Sequence, residues 1–231
     1  MFYLDPMYFV FAMPALLLAL YAQWKVRSTY SKYAQVANAT GMTGAEVARR
    51  LLDAAGLYHI QIERVPGDLT DHYDPGAKVL RLSDSNYASY SVAAIGVTAH
   101  EVGHAIQDAT AYVPMRVRTG LVPVAGIGSN LGYILFIIGF FVSSFHLATL
   151  GLILFSGAAV FAAVTLPVEY NASHRAMALL EANGLVTSQD YDMARKVLDA
   201  AALTYVAGLA QALSQVLYFA YLLSGMRRSE D

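Results

Sequence analysis

Four long apolar segments constrain the fold more than any other feature of this sequence. They cover residues 7–24, 121–142, 147–168 and 203–223, and each is close to the roughly 20 residues that a helix needs to cross a bilayer. Because lipid offers no partner to a backbone N–H or carbonyl group, such a segment must be helical to span a membrane. We therefore expect a mainly α membrane protein with about four transmembrane helices.

The composition agrees with a membrane protein and excludes several classes of function. Only 14% of the 231 residues are charged, against about 25% in soluble domains. The net charge of −2 provides no basic excess for binding phosphates, which argues against a nucleic-acid partner. The chain has no cysteine, so disulfides and cysteine nucleophiles are excluded, and a metal must be held by His, Asp or Glu.

Lysine and arginine are distributed unevenly among the segments that connect the predicted spans. They follow the first span, precede the second, and lie between the third and the fourth, at Lys25, Arg27, Lys32, Arg116, Arg118, Arg175, Arg195 and Lys196. The short link between the second and third spans, Ser143–His146, contains none. The positive-inside rule therefore places residues 25–120 and 169–202 in the cytoplasm and both termini outside.

The first cytoplasmic segment predicts a small α+β domain. A Thr-x-x-Glu capping box at residues 43–46 opens an amphipathic helix, and Gly56 stands where that helix would end. Residues 60–65 and 79–82 are predicted as the strands of a short hairpin or a small sheet, with turn signals between them. Residues 186–202 predict a further cytoplasmic helix that continues into the fourth span.

The sequence His-Glu-Val-Gly-His at residues 100–104 has the pattern H-E-x-x-H. On a helix, residues four apart lie on one face, so His100 and His104 can direct two imidazoles at one metal ion. Glu101 suits the role of general base toward a water molecule. The neighbouring residues are small or apolar, and polar groups in such a helix need a partner, which a metal supplies. A hydrogen-bonded pair of core histidines is the alternative.

A catalytic zinc site has three protein ligands and keeps a further position for water. A third histidine six residues after His104 is excluded, because position 110 is Thr. Glu169 stands at the cytoplasmic end of the third predicted span, where an ionisable side chain is functional by default. Two predicted membrane crossings lie between His104 and Glu169, so both residues are expected on the same face of the membrane. We therefore predict Zn2+ on His100, His104 and Glu169, a ligand set that also suits iron or manganese.

Longer strings in the sequence resemble a known family. The H-E-x-x-H, two spans and a later Glu-x-x-Ala run are similar to the integral-membrane gluzincins of the HtpX and CAAX-prenyl protease type. LTDHYDP at residues 69–75, SVAAIGV at 91–97 and LPVEYNAS at 166–173 resemble more narrowly the bacterial YugP-type neutral zinc metallopeptidases. This similarity runs over nearly the whole chain.

The resemblance implies a fold, a cofactor and roles for individual residues. It implies a single membrane metallopeptidase domain of residues 1–231 with a zincin-like cytoplasmic part. It also implies Zn2+ on the two motif histidines and Glu169, with Glu101 as the catalytic carboxylate. HtpX-like proteins often have Asp four residues after the ligand Glu, whereas this chain has Ser173. The hydrogen-bond partner that this Asp would supply is therefore not carried over.

Four residues are candidates for donating a hydrogen bond to the oxyanion of the transition state or for contacting the substrate. His174 and Arg175 closely follow the predicted carboxylate ligand, and His72 and Tyr73 lie in a loop before the second predicted strand. Each of the four residue types is more often a surface or structural residue. By analogy with related peptidases, the strand at 79–82 is a candidate edge on which an extended peptide pairs.

Together these features predict a zinc-dependent endopeptidase of the cell membrane, a multi-pass protein with its active site on the cytoplasmic face. Its partners would be the lipid bilayer and peptide or protein substrates, membrane proteins among them. A catalytically inactive membrane scaffold that binds metal is the alternative, but Glu101 argues against it because a structural zinc site needs no general base. A small transporter is a weaker alternative, because the charged residues lie outside the predicted spans.

Overall fold

The structure of the chain, a computed structural model, describes residues 5–227 except for the side chains of Val124 and Arg227. The termini that the positive-inside rule places outside the cell therefore lie partly beyond the described residues. Within them the chain is mainly helical, with one small mixed sheet. The elements are α1 (Pro6–Tyr33), α2 (Gly44–Ala54), β1 (Gln61–Val65), β2 (His72–Asp74), β3 (Val79–Ser83), α3 (Asp84–Tyr87), α4 (Val92–Ala109), α5 (Val113–Phe141), α6 (Phe145–Ala182) and α7 (Ser188–Arg227).

Three helices of the described chain, α1, α6 and α7, are each long and apolar enough to cross a membrane. They contain the predicted spans at residues 7–24, 147–168 and 203–223. The fourth prediction, residues 121–142, corresponds to α5, which meets the same criterion only as two helices bent by 46°. Pro123 lies at this bend, where its missing N–H and its ring disturb the preceding turn.

The chain forms two compact units. The first consists of the residues up to Ala22, Arg116–Pro167 and the residues from Thr204 onward. The second consists of Gln23–Met115 and Val168–Leu203. The bounds of the second unit nearly coincide with the two segments that the charge distribution assigns to the cytoplasm.

Aromatic and small residues pack the helices of the first unit. Phe136 of α5 stacks on Phe219 of α7, with ring centroids 4.0 Å apart. A Cβ atom on Gly132 would lie 2.4 Å from the backbone nitrogen of Phe155, and one on Gly151 would lie 2.3 Å from that of Phe136. Helices α5 and α6 therefore approach more closely than a side chain would allow, as small residues permit in membrane helices.

In the second unit, α2 begins with the predicted capping box. Thr43 Oγ1 accepts a hydrogen bond from Glu46 N, and Thr43 N donates to the Glu46 carboxylate at 2.7 Å. Gly56, with φ +72°, follows the end of the helix in the left-handed conformation that glycine adopts without strain. The apolar face of α2, including Val47 and Leu51, is fully buried in the core of this unit.

The sheet has the strand order β1-β3-β2, with β1 parallel and β2 antiparallel to β3. The predicted small sheet forms, but its two predicted strands, β1 and β3, pair in parallel, and the antiparallel hairpin joins β2 to β3. The prediction that residues 79–82 offer a free edge to a peptide is wrong, because β3 is the central strand and pairs on both sides. An edge strand is provided instead by β2, in which Tyr73 lies opposite Leu80.

Candidate active site

The H-E-x-x-H motif lies on α4, a largely buried helix of the second unit. This helix begins at Ser91, whose Oγ accepts a hydrogen bond from Ala94 N at 3.1 Å and satisfies one of the free N–H groups of the first turn. The four-residue spacing places the rings of His100 and His104 with their centroids 4.7 Å apart. Only 13% and 9% of these two side chains are exposed.

Helix α6 brings Glu169 to the two histidines, as the sequence predicts. Its Oε2 lies 3.2 Å from His100 Nε2 and 3.5 Å from His104 Nε2. One ligand atom of each of the three residues lies within 4.8 Å of the others. In a tetrahedral zinc site with bonds of about 2.0–2.1 Å, the ligand atoms are about 3.3 Å apart. The two imidazoles and the carboxylate therefore fit a zinc ion in donor type and in spacing.

The approach of α6 to α4 depends on a glycine inside the motif. A Cβ atom on Gly103 would lie 2.6 Å from the backbone oxygen of Ala172, a distance that real Cβ atoms do not show. Ala172 is itself fully buried. This close contact brings the backbones of the two helices together beside the three candidate ligands.

The second nitrogen of each imidazole also has a polar partner. His100 Nδ1 lies 3.1 Å from Ser173 Oγ. Ser173 is the residue four positions after Glu169, where HtpX-like proteins often have Asp. His104 Nδ1 lies 2.9 Å from Gln107 Oε1. Gln107 is not among the site residues predicted from the sequence, although a glutamine three residues after His104 in an otherwise apolar helix was a usable signal.

Glu101 contacts β2, one of the two edge strands of the sheet. Its Oε2 accepts a hydrogen bond from the backbone N–H of Tyr73 at 3.0 Å, and the glutamate is 9% exposed. The Tyr73 hydroxyl donates to Asp108 at the end of α4, and Lys78 forms an ion pair with the same carboxylate. Burial, followed by the bond to Asp108, raises the pKa of Tyr73 above its usual range. Strand β2 is thus joined to α4 both beside the motif and at the end of the helix.

The charges around His104 favour a cation. Burial alone lowers the pKa of this imidazole, but the hydrogen bond to Glu169 and the negative charges of Glu101 and Glu169 outweigh it. The net effect raises the pKa of His104 above its ordinary value. A site that stabilises a proton on His104 also suits a divalent cation in its place, which agrees with the ligand geometry.

The remaining predicted site residues lie in different environments. His72 is exposed and its Nδ1 lies 2.9 Å from the carbonyl oxygen of Thr70. His174 is exposed as well. Arg175 donates from Nε to Asn171 at 2.7 Å. Of the four candidates for an oxyanion or substrate contact, Tyr73 is the one whose backbone contacts the motif directly.

Comparison with known proteins gives the family. The model of a family described as "Putative neutral zinc metallopeptidase" matches residues 8–224, which is most of the chain. The chain belongs to this family. It is also similar to the "Putative membrane protease YugP" of Bacillus subtilis (strain 168), with 45% identity over 214 residues that cover 92% of this chain and 95% of that protein. No solved structure matches the chain.

Zinc is the metal of this neutral zinc metallopeptidase family, and the sequence prediction of Zn2+ is confirmed. The matched residues include both motif histidines and Glu169. Within the part of the chain that the structure describes, these three residues form the one group of His, Asp or Glu side chains spaced to hold a metal ion.

Proposed function

We propose that this protein is a membrane-bound zinc endopeptidase of the gluzincin type that hydrolyses peptide bonds. The observation that carries the proposal is the cluster of His100, His104 and Glu169, with Glu101 on the same helix as the two histidines. Two imidazoles and a carboxylate leave a zinc ion a position for water and substrate. A purely structural site would fill that position and would need no adjacent carboxylate.

The proposed mechanism assigns the proton transfers to Glu101. When bound, zinc supplies a Lewis acid that lowers the pKa of a coordinated water to about 7 and polarises the scissile carbonyl. Glu101 accepts the proton that the water loses as its oxygen bonds to the carbonyl carbon. The same carboxyl donates this proton to the amide nitrogen as the C–N bond breaks, which releases a carboxylic acid and an amine. The N–H of Tyr73 orients the Glu101 carboxylate before substrate binds.

We infer that the protein acts at the cytoplasmic surface of the cell membrane. Three apolar helices and the printed name of the Bacillus subtilis relative, a membrane protease, support the membrane location. The lysines and arginines of residues 25–120 and 169–202 support the cytoplasmic face. Peptides and proteins near the membrane, including membrane proteins, are the substrates that this location favours.

Hydrolysis of casein by the purified protein tests the activity. Wild type is expected to cleave, to lose cleavage when a chelator removes its metal, and to recover when zinc is restored. Glu101→Gln keeps the shape of the side chain but cannot accept a proton, so we expect a rate lower by about 10²–10⁴-fold. Equal cleavage by Glu101→Gln would contradict the proposal. A wild type that holds zinc and cleaves nothing would favour the metal-binding scaffold instead.

A further inference from the structure

Gln107 is a fully buried polar residue on α4, three residues after His104. Its side chain makes three hydrogen-bond contacts. Oε1 lies 2.9 Å from His104 Nδ1, and Nε2 donates to the backbone oxygen of Val168 at 2.8 Å and to Asn171 Oδ1 at 3.0 Å. Each of the three contacts lies within the second unit. Gln107 thus connects His104 on the motif helix with the part of α6 that carries Glu169.

The Val168 contact fixes the direction of the Gln107 amide. A backbone carbonyl oxygen can only accept a hydrogen bond, so the NH₂ end of Gln107 must face it. Oε1 must then face His104, and because Oε1 is an acceptor, the ring nitrogen Nδ1 must carry the proton. The other ring nitrogen, Nε2, lies 3.5 Å from Glu169 Oε2 and is left to present its lone pair to a metal.

The Arg175 guanidinium, which can only donate hydrogen bonds, supports the same orientation of the Gln107 amide. Arg175 Nε donates to Asn171 Oδ1 at 2.7 Å, and a guanidinium has no acceptor. Asn171 must therefore turn its oxygen toward both Arg175 and Gln107. The Arg175 guanidinium also lies over the ring of Tyr112, 5.7 Å from its centroid, which holds it in place. Arg175 and Gln107 thus both donate to Asn171 Oδ1, and His104 donates to the Oε1 atom of Gln107.

We propose that Gln107, supported by Asn171 and Arg175, is a positioning residue that selects the Nδ1–H tautomer of His104 and aims its Nε2 at the metal. The inference rests on the proposed function, because it assumes that His104 is a metal ligand. It gives Arg175 a different role from the substrate contact that its sequence position suggested. Arg175 acts here through Asn171 and Gln107.

Zinc affinity, measured by competition with a chromophoric chelator, tests the role of Gln107. Gln107→Met has a similar volume and removes both the acceptor and the donors, so we expect zinc affinity to fall by about 10–100-fold. Gln107→Glu keeps an acceptor oxygen beside Nδ1 and is expected to recover part of the loss. Gln189→Met is the matched control, because Gln189 is exposed on α7, and its affinity should equal that of wild type.

Asn171→Leu is expected to have an effect on zinc affinity between those of wild type and Gln107→Met. It removes one of the two acceptors of Gln107 Nε2 and leaves the Val168 contact, so we expect a smaller loss of zinc affinity than for Gln107→Met. If Gln107→Met binds zinc as tightly as wild type, the inference is overturned while the proposed function stands. If wild type itself binds no zinc, the proposed function fails and this inference fails with it.

The tautomer can be observed in wild type, without dependence on the folding of any variant. Long-range ¹H–¹⁵N spectra of the zinc-loaded, ¹⁵N-histidine-labelled protein distinguish a protonated from a metal-bound ring nitrogen. We expect His104 to carry its proton on Nδ1 and to bind zinc through Nε2. A His104 that carries its proton on Nε2 would overturn the inference, whatever the affinities of the variants.

Discussion

Each imidazole of the candidate site uses both of its ring nitrogens. The Nε2 atoms of His100 and His104 point to Glu169, and the Nδ1 atoms lie beside Ser173 and Gln107. Partners of this kind orient metal ligands and raise their basicity. A neutral hydroxyl at residue 173 is a weaker acceptor for an imidazole N–H than the carboxylate that HtpX-like proteins often have there. At their Nδ1 atoms, the two histidines therefore both have uncharged partners.

Substitution of Ser173 tests how much an uncharged partner at Nδ1 of a histidine contributes to zinc affinity. Ser173→Ala removes the hydrogen-bond partner of His100 Nδ1 and is expected to weaken zinc binding by up to about 10-fold. Ser173→Asp introduces a charged acceptor and should bind zinc at least as tightly as wild type. Chelator competition measures both affinities, with Ser188→Ala on α7 as an exposed control. Tighter binding by Ser173→Ala than by Ser173→Asp would contradict the assigned contact.

The sequence predicted the candidate ligands better than their partners. H-E-x-x-H is a local pattern, and Glu169 stands out because carboxylates are few near the ends of the apolar segments. The contacts of Gln107 and Ser173 depend on how α4 meets α6, which a single sequence does not specify. The same holds for the N–H of Tyr73, because no side-chain pattern reports a backbone donor.

At the scale of elements, the packing of α4 against α6 brings the ligands together. The contact depends on Gly103, where an added Cβ would meet the backbone of Ala172 rather than a side chain that can move. A glycine inside a helix costs about 1 kcal/mol relative to alanine, so its presence here is explained by packing and not by helix propensity.

Gly103→Ala is expected to destabilise the protein by about 1–3 kcal/mol, because overpacking between backbones outweighs the gain in helix propensity. It should also weaken zinc binding, since α6 carries Glu169. The matched control is Gly120→Ala on α5, where a Cβ would meet no atom within 4 Å. Thermal unfolding midpoints of the detergent-solubilised proteins compare the two. A midpoint for Gly103→Ala that equals or exceeds that of Gly120→Ala would show that the close contact is absent.

The elements that the sequence predicted best are those with local signals. The capping box of α2 and the long apolar helices are encoded by neighbouring residues. Strand β2 was not predicted, because three residues give no measurable alternation. The parallel pairing of β1 with β3 was also beyond prediction, since it depends on β2 joining the other side of β3.

At the scale of the whole molecule, the proposed membrane topology depends on α5. Helices α1, α6 and α7 are each long and apolar enough to span it, whereas α5 is bent by 46° at Pro123. The predicted orientation requires α5 to cross, because otherwise residues 25–120 and the link before α6 would share one side. If α5 did not cross, α6 would carry Glu169 to the side opposite His100 and His104, so the proposed site requires this crossing.

Single-cysteine labelling tests this crossing directly, because the chain contains no cysteine of its own. Tyr58→Cys follows α2 and His146→Cys lies at the start of α6, and both side chains are exposed. In intact cells a membrane-impermeant maleimide should label His146→Cys, whereas Tyr58→Cys should react only after permeabilisation. The reverse pattern would invert the orientation. Equal labelling of both in intact cells would mean that α5 does not cross.

The central claim is that His100, His104 and Glu169 hold a zinc ion, and the zinc content of the purified protein tests it most directly. We expect about one zinc per chain in wild type and in Glu101→Gln, and little in Glu169→Ala. Glu181→Ala is the matched control, because Glu181 is an exposed acid on the same helix, and it should keep its zinc. A wild type without metal, or a Glu169→Ala variant that holds as much zinc as Glu181→Ala, would contradict the account.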